Sequence, residues 1–475
     1  MQTATETERK YDVPAGFTLP SLTGAGSVAG AGEAETHELD ATYFDTEDLR
    51  LARNKRTLRR RTGGTDAGWH LKTPADGDGR TEHRLPLSDG DQVPGELTSA
   101  VRPIVRTREL RPVARLRTHR IETPLRDAEG RTLALVAQDE VGAETGGSEQ
   151  RWQELEVELV EGGPELLDQV EGLLLAAGAT PAAGPSKLAR ALGDRLSKAQ
   201  RHRPRKPGPV LRYALEQRDA LAEHDPGVRA GDAESVHKMR VATRRLRSTL
   251  KTFKASFDQE RATPMRDELK WLAAELGAVR DAQVLGTKLG DAAADFPETA
   301  AEIRAKLAGD VETGRAALTE ALDSDRYLGL LDELDALIEG APPEDRQASR
   351  RARKVLRQAD RLLDEATADG VDAELHEARK KYKQARYAVE VFAPEAGKPG
   401  KQLVNTLTSL QDVLGAHQDS VVAREVLRDM SRTAADAFPY GVLYARQEQV
   451  GAETLTELPA AISASRTGKV RSWLG

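Results

Sequence analysis

Residues 154–159 read Glu154-Leu155-Glu156-Val157-Glu158-Leu159, three carboxylates alternating with three aliphatic side chains. A period of two marks a β-strand, whose successive side chains point to opposite faces. One face of this strand is acidic and the other apolar. A charged face on a single strand ordinarily points at water. Here the pattern recurs upstream with both signs of charge. Glu6, Glu8 and Lys10 share a face in 6–10, Arg59 and Arg61 in 56–62, and His70 and Lys72 in 67–73. Arg80, Glu82 and Arg84 do so in 79–87, and Arg115 and Arg117 in 112–118. If the apolar sides pack against helices, the charged sides must line an interior. That interior would have carboxylates on one wall and guanidinium and ammonium groups on the others.

Working outward, strand patterns lie near 4–12, 38–44, 56–62, 67–73, 79–87, 112–122, 131–140 and 151–160, and 164–178 and 186–196 look helical. These predict an eight-stranded antiparallel β-barrel, a tunnel with helices outside. Beyond about residue 210 the chain turns to Ala, Leu, Glu and Arg with helical periodicity, so the fold class is α+β in two domains. The boundaries read as a tunnel domain over 1–195, a basic, Pro-rich linker over 196–210 and an all-α domain over 211–475. Arg201-His202-Arg203-Pro204-Arg205-Lys206-Pro207-Gly208-Pro209 marks the linker.

Such a lining suits a chain of phosphates. Arg and Lys grip non-bridging oxygens, and Arg does so with a fork. Several carboxylates in a cationic tunnel invite hard divalent cations, Mg²⁺ or Mn²⁺. Polyphosphate plus metal, held in line, is a phosphoryl-transfer arrangement.

Composition narrows the classes. None of the 475 residues is cysteine, which excludes disulfides, thiolate metal sites and cysteine catalysis. Aromatics are 4%, too few for broad base-stacking platforms, and the 70 basic and 77 acidic residues give a net charge of -7. Nucleic acid is therefore not an expected partner. No apolar run reaches the roughly 20 residues of a membrane span, and the N-terminus lacks a signal peptide's apolar core. A cytoplasmic location with no membrane partner is expected, with association with polyphosphate granules as a further option.

The ordered landmarks resemble a known superfamily. Glu6-Thr7-Glu8-Arg9-Lys10 is an ExExK motif on the first strand. It is followed by Tyr43-Phe44-Asp45, Leu58-Arg59-Arg60-Arg61, Trp69-His70-Leu71-Lys72, Arg80-Thr81-Glu82-His83-Arg84, Gln138-Asp139-Glu140, Glu154-Leu155-Glu156-Val157-Glu158 and Ser186-Lys187-Leu188. The series is similar to the CYTH superfamily, the triphosphate tunnel metalloenzymes. The resemblance implies hydrolysis of a terminal phosphate from inorganic or organic triphosphate with Mg²⁺ or Mn²⁺. It implies metal ligands at Glu6, Glu8, Glu154 and Glu156, with Glu158 as a substitute. Phosphate holders fall at Arg59, Arg61, Lys72, Arg84, Arg115, Arg117 and Lys187. Lys10 would sit on the terminal phosphate or attacking water, Asp139 would position metal or water, and Glu82 would orient neighbouring bases. Arg120 is left out, being off the parity of Arg115 and Arg117.

The helical half repeats. His237, Arg240, Arg244, Arg247 and Lys251 are spaced 3, 4, 3 and 4, one helix face. Adding 139 lands on His376, Arg379, Lys383, Arg386 and Glu390. Leu276-Gly277-Ala278-Val279-Arg280-Asp281 recurs 138 residues on as Leu414-Gly415-Ala416-His417-Gln418-Asp419. Two copies suggest duplicated four-helix bundles whose basic stripes form a groove for a linear polyanion. The arrangement resembles the CHAD domain, the conserved histidine α-helical domain, which implies inorganic polyphosphate binding without catalysis. The second copy looks eroded at Glu390 and Gln418.

The expected function is metal-dependent hydrolysis of tripolyphosphate to pyrophosphate and phosphate, with polyphosphate held by the helical half. The alternatives are a non-enzymatic polyphosphate-binding or granule-targeting protein and an adenylate cyclase. Oligomeric state is not legible.

Overall fold

The computed structural model describes residues 2–74, 79–88, 90–200, 207–342 and 345–474. Alternation becomes strand where the sequence predicts it. The strands are β1 (Gln2–Glu6), β2 (Glu8–Asp12), β3 (Gly30–Ala31), β4 (Glu35–Asp45), β5 (Thr57–Thr62), β6 (Gly68–Pro74), β7 (Arg80–Leu85), β8 (Arg111–Arg126), β9 (Thr132–Thr145), β10 (Ser148–Leu159) and β11 (Thr180–Pro181). Interspersed are helices α1 (Arg50–Arg53), α2 (Gly95–Val105), α3 (Glu165–Ala176) and α4 (Lys187–Gln200).

The strands form one antiparallel sheet in the order β1-β7-β6-β5-β4-β8-β9-β10-β2-β11, with β3 on β8. This corrects the expected closed, eight-stranded barrel. Ten strands lie along the ladder, and among the described residues no hydrogen-bonded pairing returns from its last strand to its first. The reason is local. The N-terminal strand is interrupted at Thr7, so that β1 pairs with β7 while β2 pairs with β10. The two ends of the sheet are thus joined by covalent chain rather than by a ladder. The sheet still curls, because side chains from both ends line one cavity.

Turn chemistry fixes the register of the long strands. Gly146 and Gly147, at φ 54° and 87°, make a two-residue hairpin between Thr145 and Ser148. At the other end of β9, Asp127 accepts backbone N–H bonds from Glu129 and Arg131. The Gly146–Gly147 hairpin sets Asp139 opposite Glu154, and the Asp127 turn together with the irregularity between Leu125 and Arg126 sets Arg120 opposite Asp139.

Helix placement corrects a second expectation. Leu166, Leu167, Val170 and Leu174 of α3 pack with Leu155, Val157 and Tyr11, on the outer, apolar face. Leu188, Ala191, Leu192 and Leu196 of α4 pack instead with Ala41, Tyr43, Leu116, Val141 and Ala143, which share the parity of the charged lining. One helix is outside; the other lies on the concave side.

The chain divides into two compact units, Met1–Arg203 and Pro204–Gly475. The sequence reading starts the linker at 196, but α4 runs on through Gln200 and the next helix already begins at Pro209. Residues 201–206 of that linker lie outside the described residues.

The second unit is helical: α5 (Pro209–Arg229), α6 (Ala233–Thr252), α7 (Gln259–Ala292), α8 (Pro297–Asp323), α9 (Asp325–Glu339), α10 (Ala348–Asp369), α11 (Asp372–Glu390), α12 (Ala393–Ala396), α13 (Lys398–Ser431), α14 (Phe438–Thr456), α15 (Leu458–Arg466) and α16 (Gly468–Arg471). Helices α5, α6 and α7 begin 139 residues before α10, α11 and α13, so the duplication is one of whole helices. Consecutive packing of α5 to α8, and of α10, α11, α13 and α14, gives two four-helix sets, and α6 meets α11 across them. No helix among the described residues is long and apolar enough to cross a membrane.

Candidate functional site

In the first unit, side chains of β1, β2, β4–β8, β10 and the start of α4 surround a cavity of about 90 Å³. Its acidic wall comes from β1, β2 and β10. Glu6 accepts from Lys72 Nζ at 2.5 Å and Arg84 Nη2 at 2.8 Å. Lys10 pairs with Glu156 and lies 3.1 Å from Glu8. Against the penalty of burial, Lys10 holds the Glu8 carboxyl below its usual range. Burial pushes Glu158 up to about 7, and Glu6, Glu8 and Glu156 add to the shift, so Glu158 is the under-neutralised acid of this wall.

Asp139, Glu154 and Glu156 form a second acidic group, with one oxygen each within 4.8 Å of the others. Lys187, the first residue of α4, puts its ammonium 2.9, 2.7 and 2.7 Å from these three carboxylates. Arg120 clamps Asp139 with two bonds, of 2.8 and 2.7 Å, and reaches Glu156 at 2.7 Å. Trp152 Nε1 donates to Glu154 at 2.6 Å.

The basic wall is β5, β6 and β7. Arg59 points at the Tyr43 hydroxyl, 3.4 Å away, and lies 3.8 Å from Glu82. Arg61 pairs with Asp66, and burial followed by the fields of Arg59 and Arg120 lowers it to about 9. Buried Glu82 pairs with Arg84 and lies 3.0 Å from His70 Nδ1, and Lys72 is 3.8 Å away. Despite desolvation, the bond to His70 and the nearby cations hold the Glu82 carboxyl well below its usual range. The Nε atoms of Arg59 and Arg61 are buried without a hydrogen-bond partner among the described residues, as donors awaiting an anion are.

The structure therefore gathers Glu6, Glu8, Lys10, Arg59, Arg61, Lys72, Glu82, Arg84, Asp139, Glu154, Glu156 and Lys187. It does not gather Arg115 and Arg117. These lie on the outer face, their side chains 49% and 57% exposed, paired with Asp40 and Glu144. Arg120, excluded by the sequence reading, stands in the cavity wall instead, on the face of Leu116 and Thr118. Counting back from the Asp127–Gly130 turn alone would put Arg120 opposite Gln138; the irregularity between Leu125 and Arg126 moves it to Asp139, and no sequence signal marks that step.

The donor set fits a divalent cation. Hard carboxylate oxygens face one another from β1, β2 and β10, and the Asp139 group is spaced to hold a cation, since it already holds the Lys187 ammonium. Six carboxylates line the cavity and two more, Asp139 and Glu154, stand against it, facing eight Lys and Arg side chains. The wall is thus self-neutralising. A polyanion entering it would be offset only if further positive charge came with it.

In the second unit, Asp232 caps α6 by accepting from the N–H groups of Glu234 and Ser235, and the basic stripe follows. His237, Arg240 and Arg244 of α6 and His376, Arg379 and Lys383 of α11 are half-buried, while Arg247 and Lys251 are exposed. Arg240, Arg244, Arg379 and Lys383 act on one another: burial, then the fields of those three arginines, lowers Lys383 to about 7. Nε of each of the three arginines is buried without a hydrogen-bond partner among the described residues. Burial and Arg280 lower His237, and burial and Lys380 lower His376, so Arg280 joins the cluster from α7.

The repeated Leu-Gly-Ala element now has a physical role. A Cβ on Gly277 would lie 3.5 Å from Arg240 Nε, and one on Gly415 would lie 3.3 Å from Arg379 Nη2. The two glycines let both guanidinium groups lie against the neighbouring helix. Arg386 is not brought to the cluster. It turns to Gln411 at 2.9 Å and Glu390 at 2.6 Å, and Glu390 also accepts from Tyr213 and pairs with Arg245.

A CYTH domain matches residues 4–191 and a CHAD domain matches residues 212–428. The chain is 40% identical to the uncharacterized protein Rv2226 of Mycobacterium tuberculosis over 497 residues, spanning 96% of this chain and 95% of that one. Among solved structures, PptA from Streptomyces chartreusis is 21% identical with a TM-score of 0.46, over 54% of this chain and 98% of that one. The CHAD domain of the plant Ricinus communis is 30% identical with a TM-score of 0.43, over 54% of this chain and 89% of that one.

Proposed function

We propose that this chain, which belongs to the proteins joining a CYTH domain to a CHAD domain, hydrolyses inorganic triphosphate in its first unit and binds inorganic polyphosphate in its second. The observation that carries the enzymatic half is the convergence of carboxylates from β1, β2 and β10 with cations from β5–β8 and α4 on one small cavity. Arg59, Arg61, Lys72 and Arg84 hold phosphate oxygens on one side, and Arg120 and Lys187 on the other. Glu82 keeps Arg84 aimed, and Asp139 does the same for Arg120. Lys10, between Glu8 and Glu156, meets the terminal phosphate. Glu6, Glu8, Glu154, Glu156 and Glu158 are the acids that would hold Mg²⁺ or Mn²⁺, which when bound supplies Lewis-acid neutralisation of the phosphate oxygens. Positioning and fixed charge then provide most of the rate, with pyrophosphate leaving.

The test is phosphate release from tripolyphosphate, ATP and long-chain polyphosphate, each with Mg²⁺, Mn²⁺ or EDTA. Metal-dependent turnover of tripolyphosphate well above ATP supports the reading. No turnover on any of them overturns it.

One observation favours a second reading. Every acid of the Asp139 group already pairs with Lys187, and Lys10 and Arg120 supply the remaining charge, which also suits a tunnel that only binds. In that case the protein is a polyphosphate-binding or granule-targeting module. The set Arg240→Glu, Arg244→Glu and Arg247→Glu separates the roles: it should abolish polyphosphate binding and leave triphosphate hydrolysis unchanged.

A further inference from the structure

Helix α10 carries its charges against its own dipole. Arg350, Arg351, Arg353 and Lys354 crowd its first two turns, Asp364 and Glu365 lie towards its end, and its first turn holds no acid and its last no base. The N-terminus of a helix is its positive end, where cations are unfavourable. Stability does not explain this order, but a site for anions does.

The outward face sharpens the point. Arg346, Arg350, Lys354, Arg357 and Arg361 are all exposed, at spacings of 4, 4, 3 and 4. Arg346 stands in the turn before the helix, and Arg350, Lys354, Arg357 and Arg361 make one helical stripe about 16 Å long. Arg361 has Glu365 at 3.7 Å; the other four have no ion pair or hydrogen bond among the described residues. The nearby acids are engaged elsewhere, Asp345 by Arg351, Asp360 by Arg471 and Asp364 by Arg466.

The duplicate helix shows that this is not a feature of the repeat. At the corresponding positions, 139 residues earlier, stand Pro207, Leu211, Leu215, Arg218 and Ala222. There α9 packs on α5, and its Asp335 pairs with Arg218. One copy has a largely apolar face partly covered by a helix; the other has a basic face that is bare.

We propose that the outward face of α10 is a second polyanion site of the helical unit, taking the overhanging phosphates of a long inorganic polyphosphate whose first segment lies on the α6 and α11 stripes. The inference rests on the polyphosphate reading given above. Helix α10 packs on α11, tied by a 2.6 Å bond from Tyr382 to Asp360, so the two basic faces belong to neighbouring helices. Charge complementarity selects a polyanion. The absence of any aromatic residue from 346 to 361 selects phosphate over single-stranded nucleic acid, whose bases need a surface to stack on.

The experiment is titration of the full chain carrying Arg350→Ala, Lys354→Ala and Arg357→Ala with long-chain and short-chain polyphosphate at several salt concentrations. The long chain should bind about tenfold more weakly, and its log–log salt slope should fall by about 2, near 0.7 for each cation removed. Short-chain affinity should not change. Alanine favours helix and the change relieves the dipole, so the melting temperature should hold or rise; the Gln triple variant serves if it does not. Unchanged long-chain affinity and slope overturn the inference alone. Equal weakening for both lengths overturns it too, by placing α10 in the first site. Wild-type protein that binds neither length overturns the polyphosphate reading as well. Loss of single-stranded DNA binding without loss of polyphosphate binding overturns the choice of ligand.

Discussion

Replacing Lys187 by Met should convert an internal cation site into a metal site that works without substrate. The Lys187 ammonium lies 2.9 Å from Asp139 and 2.7 Å from each of Glu154 and Glu156. Its neighbours Lys10 and Arg120 also pair with this group, so three cations meet three anions in the wild type. Removing Lys187 leaves one buried negative charge uncompensated. Breaking a buried ion pair from one side costs about 3–5 kcal/mol. For a unit of this size, each kcal/mol is worth about 2–4 °C, so the melting temperature of the first unit in EDTA should fall by about 6–20 °C. A divalent cation can then take the vacated position. At a hundredfold excess over its Kd it restores about 2.7 kcal/mol, or about 5–11 °C. The assay is thermal unfolding of the full chain in EDTA and in Mn²⁺, with no phosphate present, alongside Mn²⁺ binding followed by paramagnetic resonance. Wild type should melt alike in both, because the ammonium excludes the metal; Lys187→Met should depend on Mn²⁺. A Lys187→Met chain that gains neither Mn²⁺ binding nor Mn²⁺-dependent stability refutes the reasoning.

Glu156→Gln should lower triphosphate turnover by about a hundredfold or more, the usual loss when one fixed electrostatic contact leaves an active site, while polyphosphate binding measured by titration persists. Arg120→Ala should weaken triphosphate hydrolysis, whereas the pair Arg115→Ala and Arg117→Ala should leave kcat/KM within about twofold, since both lie on the outer face; the reverse result would restore the original strand parity. Lys383, lowered to about 7 chiefly by burial and then by Arg379, Arg244 and Arg240, is largely uncharged above neutral pH in the free protein. A bound polyanion favours its ammonium form, so binding should take up a proton and affinity should fall as pH rises from about 7 towards the ordinary lysine range. Calorimetry in buffers of different ionisation enthalpy reads the uptake, which Lys383→Arg should abolish. The same sign makes the unliganded unit more stable with rising pH over that interval, because the unfolded chain holds the proton that the folded one sheds.

Much of this was legible because two periods carry it. A period of two exposed the charged strand faces, and spacings of 3 and 4 with a 139-residue repeat exposed the paired helices. What failed were the places where one residue resets a pattern. Thr7 interrupts the first strand and opens the ladder, and no composition rule marks it. On β8 the two arginines nearest each other in the motif, Arg115 and Arg117, set the parity, yet they face outward, and the pairing with β9 shifts at an irregularity between Leu125 and Arg126 that no sequence signal marks. Helix α4 was placed outside because its apolar residues suit either side of a sheet; the Leu39, Ala41 and Tyr43 face of β4, apolar inside a charged tunnel, was the clue to where it goes. Arg386 left the groove because Glu390 sits one helical turn on, an i,i+4 pair visible in the sequence.

The two units treat positive charge in opposite ways, and that difference bears on what each selects. In the cavity nearly every cation already has a carboxylate, so a phosphate must exchange partners rather than simply arrive. Exchange favours a ligand that brings its own divalent cations and can match several fixed positions at once. This penalises anything of the wrong length or shape. On α6 and α11 the cations press on one another instead, and burial first, then the fields of Arg379, Arg244 and Arg240, lowers Lys383 to about 7. Such a surface sits at raised energy until an anion relieves it, and any stretch of a phosphate chain can do so. Long-range attraction then speeds capture at low salt and fades as salt rises. A selective cavity and a permissive groove would suit the proposed division of labour, in which the helical unit gathers phosphate chains by charge and the tunnel accepts only what its paired walls can hold.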